Sequence, residues 1–497
     1  NESQYAWTKL AKGVLGTDHV DAQLGDGLPA EVVLGLPRST IDQACTPGGT
    51  IVLLGPDPKE ELGALFLRLR HAVVNDGATL IELTPRRTGL SPHAVHSLRV
   101  APGDAADVVA GLFGARSPVG AASLSTDQLA EVGATLAAAS AEGSPITVLL
   151  GRPSLAEAAG PVVDAALALH DHLPEARFLS LLRRGNVHGA LDMGLAPGLL
   201  PGRTTLADAG RVSGAWPTVP TAIGHDTLGT LVAAAAGEVD VLVLLGADLL
   251  ADVPDRQLAE QALAGAGTVV AVDLFGTDTV ARADVVLPAV ASTELDGTFT
   301  NLEGRVSVVA RKVTSPGTSR PDWAIAAELA ERLGTDLGFT SVDDVLAELR
   351  EVSTVHAGIT PEALAETTRE GLLVEGLLVT DRPVPTSVPG RDGYGLRLVV
   401  DRSMYDSGVL VSHSPSLASL APGTRAGLEP TDLARHGIAD GEVVDLISAR
   451  STIQVVVVAD AGVARGTVHI RANQPDVVAT ALLDATVPVT EVRVGRR

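Results

Sequence analysis

The chain has 497 residues, 45% hydrophobic and 20% charged, enough apolar material for about three domains and too much for intrinsic disorder. Its 60 Asp and Glu outweigh 37 Lys and Arg, giving a net charge of −23. No local Lys/Arg cluster offsets this, which argues against nucleic acid and anionic lipid as partners. Cys45 is the only cysteine, so the chain cannot build a disulfide within itself, a thiolate-held iron–sulfur cluster or a Cys-type zinc site. No uncharged apolar run approaches about 18 residues, so direct membrane insertion is not expected.

The opening, NESQYAWTKLAKGVLG, lacks the layout of a signal peptide. Tyr5, Leu10 and Val14 recur at helical spacing and predict a helix over 3–15, stopped by Gly16. With no initiator Met, it reads as part of something longer. A Gly- and Pro-containing loop follows over 22–30. The apolar run 50–54 predicts a strand ended by Gly55-Pro56-Asp57-Pro58, then a helix over 60–74 and a strand over 78–83 that runs into Thr84-Pro85-Arg86. That strand–helix–strand unit builds a parallel sheet. Helices are expected over 105–113 and 127–142, a buried strand over 146–150, and a long ordered loop over 183–203.

The same unit then recurs: a strand over 239–245 ended by Gly246-Ala247-Asp248, a helix over 256–264, and a strand over 268–272 that ends at Asp273. Two such units imply two nucleotide-fold halves facing one another. A short strand, DVVLP, falls at 284–288, and amphipathic helices at 322–334 and 341–351. The Pro/Gly-rich stretch 380–395 reads as a linker, and beyond it five short strands with turns indicate a small β-barrel.

Few strings carry chemistry. Gly25-Asp26-Gly27-Leu28-Pro29-Ala30 has the letters of a phosphate loop but no strand before it, so an ordinary loop is expected. Asp273 stands where an acidic residue contacts ribose hydroxyls, with Thr277 and Thr279 as nearby donors; the alternative is that Asp273 caps its turn. His93/His96 and His170/His172 lack a shared face for a metal. Glu303 and Arg305 read as a structural pair beside Glu294 and Asp296.

The segment 283–306, ADVVLPAVASTELDGTFTNLEGRV, resembles a signature of the molybdopterin oxidoreductase superfamily. GTDHVD (16–21), GPDP (55–58), GNVHGALDMG (185–194), VDLFGTDT (272–279), Asp322-Trp323 and LARHGIADGEVVDLIS (433–448) resemble further motifs in the same order. The resemblance implies an α/β fold with two Rossmann-like domains and a C-terminal double-psi type barrel. It divides the chain into 22–212, then 1–21 with 213–379, then 380–497. In catalytic members such as formate dehydrogenases, a metal-ligating Cys or selenocysteine and a His follow the first motif. Counting places Gly27 and Leu28 there, neither of which has a metal-binding side chain. Thr84 and Asp57 replace two nucleotide-contacting residues, so Asp273, Thr277 and Thr279 are left as a vestigial nucleotide motif.

These departures resemble the complex I branch, the large peripheral-arm subunit of NADH–quinone oxidoreductase, and the ending ATALLDATVPVTEVRV is similar to actinobacterial members. The resemblance implies a non-catalytic scaffold without molybdopterin, with iron–sulfur clusters in a region ahead of this chain. It implies other hydrophilic-arm subunits as partners, a peripheral place on the cytoplasmic side of the inner membrane, and support for NADH-to-quinone electron transfer and proton translocation. The alternative is a catalytic molybdopterin enzyme of the formate dehydrogenase kind. On the complex I reading, Arg86, Arg87 and Arg183 pair with carboxylates such as Asp57, Glu60, Glu61 and Asp248 in the crevice between the halves.

Overall fold

A computed structural model describes residues 1–114, 124–367, 370–391 and 395–495; residues 392–394 of the expected linker lie outside the described residues. Strands β1 (Thr50–Leu54), β2 (Thr79–Thr84), β3 (His96–Arg99), β4 (Ile146–Leu150) and β5 (Arg177–Ser180) form a parallel sheet in the order β3-β2-β1-β4-β5. This is the doubly wound arrangement, and the order reverses between β1 and β4. Every residue of β1 and β4 is buried, as a parallel sheet covered on both faces requires. One face, with Val52, Leu54, Ile81 and Val148, packs on the helices Ala105–Leu112, Thr126–Ala141 and Gly160–His172. The other, with Ile51, Leu53 and Leu149, packs on the helix Gly63–Asn75.

The short β6 (Leu199–Leu200) and β7 (Thr204–Thr205) make a hairpin. The second unit contains β8 (Val241–Leu245), β9 (Thr268–Asp273) and β10 (Val285–Pro288), parallel in the order β10-β9-β8. A small antiparallel sheet follows, β11 (Gly297–Thr300), β12 (Arg305–Val309) and β13 (Leu372–Leu373). The last domain comprises β14 (Leu396–Asp401), β15 (Ala426–Leu428), β16 (Val443–Ile447), β17 (Thr452–Ala459), β18 (Thr467–Arg471) and β19 (Glu491–Gly495). They close into a six-stranded barrel ordered β14-β18-β15-β17-β16-β19, with β14/β18 and β15/β17 parallel.

Several elements differ from the sequence reading. The segment 183–203 is ordered but contains a helix, Val187–Asp192, which starts after Asn186 in the left-handed conformation (φ 61°). His96 opens β3 rather than lying in a loop, and the helix expected from 60 begins at Gly63 behind a separate turn, Pro58–Glu61. The first helix is α-helical over Glu2–Thr8 and then widens to a π-helix over Lys9–Val14. The wider turn accompanies a fully buried Lys12, whose ammonium pairs with Asp18 at 2.7 Å and donates to the carbonyls of Ala196 and Leu199.

Candidate functional site: the interdomain crevice

The carboxyl ends of β1 and β4 are the switch point at which doubly wound sheets hold ligands. The chain leaves both through close-packed glycines: a Cβ on Gly55 would sit 3.0 Å from the Gly151 amide nitrogen. Beyond β1, Asp57 turns inward as a cap. Its Oδ1 accepts from the Lys59 amide at 3.0 Å and its carboxylate accepts from the Gly89 amide.

Beyond β2, the Thr84–Arg87 loop is held by the barrel. The Arg87 amide donates to Gly462 O at 2.8 Å, and the Ala464 amide donates to Pro85 O at 2.8 Å. Arg86 donates from Nε to Asp401, whose other oxygen meets His469 Nε2 at 2.8 Å. Burial alone would raise the Asp401 carboxyl, but Arg86 and His469 hold it well below the usual carboxylate range. The segment after β4 is zipped to the barrel as well. The amides of Leu155 and Ala158 donate to Val400 O and Pro488 O, and the Thr490 amide donates to Ala156 O.

At the centre of the three-domain junction lies a charge network built on two buried side chains, Asp26 and Arg402, with Asp252, Arg184 and Arg183 partly exposed around them. Both oxygens of Asp26 accept from Arg184 Nη1 (2.7 and 2.8 Å), and Oδ2 accepts from Arg402 Nη2 at 3.1 Å. Arg402 also donates to Asp252 O at 2.8 Å. Asp252 Oδ1 lies 3.3 Å from Arg184, 3.5 Å from Arg402 and 3.9 Å from Arg183. Asp26 and Arg184 come from the first α/β unit, Asp252 from the second and Arg402 from the barrel. Despite burial, Arg184 and Arg402 hold the Asp26 carboxyl far below its ordinary range. Burial pushes Glu61 up to about 7, against the pull of Arg402 and Arg183.

Arg184 Nη2 and Arg402 Nη1 make no hydrogen bond but both face the Asp252 carboxylate, and the buried Arg402 Nε is without a partner. Of the three arginines expected to pair with carboxylates, Arg86 meets Asp401 and lies 3.8 Å from Asp57, and Arg183 lies 3.9 Å from Asp252 rather than on Asp248, while among the described residues no ion pair joins Arg87 to a carboxylate. Arg184, Arg402 and Asp252 were not singled out from the sequence. No local signal marks them, because the partners are 158 and 376 positions apart in the chain.

Asp273 ends β9 and its Oδ1 accepts from the amides of Leu274 (2.6 Å) and Phe275 (3.2 Å), holding the turn. Thr277 Oγ1 accepts from the Val280 amide at 3.2 Å. Thr279, fully buried, donates to Asp248 and accepts from the Leu250 amide, tying the exits of β8 and β9 together. Phe275 packs against His413 of the barrel domain, with ring centroids 4.5 Å apart.

The two positions counted from the first motif, Gly27 and Leu28, offer no side-chain ligand to a metal. A Cβ at Gly27 would lie 1.6 Å from Gln23 Oε1, and that amide is fixed by the Leu28 backbone, accepting from its N–H and donating to its carbonyl. Leu28 is buried in the first core. Among the described residues, no group of three His, Cys, Asp or Glu could hold a metal ion. A cavity of about 1130 Å³ opens beside Gly27, lined by Leu28, Glu157, Thr227, Pro254 and Val487 among others; Asp57, Thr84, Asp248 and Asp273 do not line it.

Glu157 on that wall is buried, and burial pushes its carboxyl up to about 7 despite a hydrogen bond from the Gly103 amide. Its folded value lies above its unfolded one, so ionising it weakens the fold as pH rises from about 4.5 through 7. Glu157→Gln should match the wild type at pH 5 and exceed it at pH 8 by about 1–3 kcal/mol. Urea unfolding at both pH values checks this.

Two Rossmann-like halves under a six-stranded barrel define the architecture of molybdopterin-type oxidoreductases. The chain belongs to that family: the molybdopterin oxidoreductase description matches residues 1–332, and the molydopterin dinucleotide binding domain matches 399–492. It is 29% identical to an NADH-quinone oxidoreductase subunit of Rhizobium meliloti (91% of this chain, 56% of the relative). It is 28% identical to the corresponding NADH-quinone oxidoreductase subunit of Streptomyces coelicolor (91% and 53%). Over 341 residues it is 28% identical to the alpha subunit of the F420-dependent formate dehydrogenase of Methanocaldococcus jannaschii (63% and 50%). The chain thus spans about half the length of these curated relatives. Acetylene hydratase from Pelobacter acetylenicus shares the fold, with a TM-score of 0.64 at 15% identity over 100% of this chain and 82% of that one.

Proposed function

We propose that this chain is the cofactor-free scaffold portion of a peripheral-arm subunit of an NADH–quinone oxidoreductase, supporting electron transfer carried by iron–sulfur clusters outside it. The observation that carries this reading is the Asp26–Arg184–Asp252–Arg402 network. Ion pairs centred on the buried Asp26 and Arg402 join all three units at the junction, and Gln23 fills the space a metal-ligating side chain at Gly27 would need. We read the units as 22–212, 1–21 with 213–379, and 380–497, and Asp273, Thr277 and Thr279 as a vestigial nucleotide motif reduced to holding turns.

The partners on this reading are other hydrophilic-arm subunits, and the place is peripheral, at the cytoplasmic face of the membrane. Among the described residues no helix is long and apolar enough to cross a membrane. Catalysis by a formate dehydrogenase-like centre is the rival, supported by one of the relatives named above. The test is to place this chain in its full-length parent within the assembled complex and measure NADH:quinone activity of the membranes. Removing the chain should abolish activity. Asp273→Ala should leave activity at the wild-type level and lower stability by only about 1 kcal/mol, the cost of one partly exposed turn. Activity that survives removal of the chain, or falls with Asp273→Ala, overturns the reading.

A further inference from the structure

The two parallel sheets are covered differently. In the first, helices lie on both faces. In the second, Leu242, Leu244 and Val269 point to one face and pack with the helices Thr227–Ala235 and Arg256–Gly265, and Ala271, paired with Leu244, points the same way. The opposite face is given by the register Val241↔Thr268, Val243↔Val270 and Val270↔Val285. Its carboxyl half is covered: Leu245, Val272 and Leu287 join the core that includes Trp323 and Ile325 of the helix Asp322–Arg332. Its amino half is bare. Val241, Val243 and Val285 are 55%, 40% and 44% exposed.

The cause lies in the topology. In the first unit, the helices that cover the corresponding face follow the third strand. In the second, the chain passes from β10 into the β11–β12 hairpin instead. A parallel sheet with one bare apolar face is unusual because helices normally cover both faces.

We propose that this bare half-face of β8, β9 and β10 is a docking site for a single amphipathic helix of a partner protein, with basic residues beside its apolar stripe. The width fits one helix. Three strands span two spacings of about 4.8 Å, roughly 10 Å in all, which matches the diameter of a helix with its side chains. The charge selects the partner. Glu238, Asp240 and Asp284, all exposed, stand at the amino ends of β8 and β10 with Arg282 beside Asp284, on a chain of net charge −23; Asp284 also accepts from the Val269 amide. A basic flank gains there and an acidic one is repelled.

The test uses two synthetic peptides of helical spacing, one of Leu and Lys and one of Leu and Glu, titrated into the full chain. The Leu/Lys peptide binds and slows hydrogen exchange over 241–245 and 285–288; the Leu/Glu peptide does not bind. Val243→Asp and Val285→Asp, at half-exposed strand positions, stay folded with a melting temperature lowered by only a few degrees, roughly the cost of strand propensity, and weaken binding at least about tenfold. Each adds a negative charge, so binding driven by net charge alone would tighten instead. Unchanged or tighter binding by both variants, protection confined to other segments, or equal binding of the acidic peptide overturns the proposal. Self-association of the chain that buries 241–245 and excludes the peptide also overturns it, because the occupant is then a second acidic copy.

Discussion

Replacing Asp26 with Ala should lower the folding stability of the chain by about 3–5 kcal/mol. Asp26 is the carboxylate that Arg184 and Arg402 share, and the Arg402 side chain is only 3% exposed. Removing it leaves two guanidiniums facing each other across a buried junction, with Asp252 and Glu61 left as the nearby counter-charges. The loss should persist in high salt, because buried pairs are screened far less than surface pairs. Asp26→Asn should cost less, since its amide oxygen still accepts a hydrogen bond. Denaturant unfolding with intrinsic fluorescence measures both. A cost below about 1 kcal/mol would mean that the network does not hold the units together.

The second large effect is acid lability centred on Asp192. This carboxylate is fully buried and pairs with Arg203 Nε at 2.7 Å, while His188 and His356 lie 3.4 and 4.0 Å from its Oδ2. Burial lowers His356 to about 4, the attraction of Asp192 notwithstanding. A histidine held neutral in the fold binds its proton more readily when unfolded. Between about 6.5 and 4 the unfolded state therefore takes up protons that the folded state does not, and stability falls as pH falls. For His356 alone the loss by pH 4 is on the order of 2–3 kcal/mol. The Asp192 carboxyl, held below its usual range by Arg203 and His188 despite burial, adds a further loss below about pH 4.

The partly buried Glu61 and the buried Glu157 titrate in the opposite sense, so the informative quantity is the difference between proteins rather than one profile. His356→Gln should be less stable than the wild type at pH 7, where it loses only packing and the contact of Nδ1 with Ser353 Oγ. The gap should close, or invert, by pH 4.5. Parallel profiles for the two proteins would contradict the assignment.

How much of this was legible depends on where the physics is local. The strands Thr50–Leu54, Ile146–Leu150 and Val443–Ile447 stand where short apolar runs meet Gly, Pro or Asp punctuation. The strand His96–Arg99 did not announce itself. It lies at the edge of its sheet and carries polar side chains, of which Ser97 and Arg99 bond to the buried Glu82. Ala426–Leu428 is too short to carry an alternation.

Family strings were legible as strings, but their roles were not. Asn186 accepts from the Thr300 amide at 2.8 Å, and a Cβ on Gly189 would meet Asn1, Asn186 and Thr300 side-chain oxygens. Glu2 accepts from the Thr298 amide at 2.7 Å. The motifs around 185–194 and 297–305 therefore clasp the first helix and β11 to the segment 185–194 of the first unit. Asp18 of the first motif accepts from the amides of Gly198 and Gly224 in the same way. The expected Glu303–Arg305 pair is present at 2.7 Å. What the sequence could not supply was the central network, because charge pairing across three units has no periodicity.

On this account the chain's own ion pairs bridge the three units where the sheets end, and Gly27 and Leu28 offer a metal-bearing pterin no side-chain ligand. The most direct measurement is elemental analysis for molybdenum and tungsten, with assay of released pterin, on the chain produced in cells that make and insert molybdopterin cofactors. The wild-type chain should contain neither metal nor pterin, and Gly27→Cys, which introduces a thiolate where Gln23 fills the space, should not recruit them. About one molybdenum or tungsten per chain, with pterin released in proportion, would contradict the account and place the chain among the catalytic members of its family.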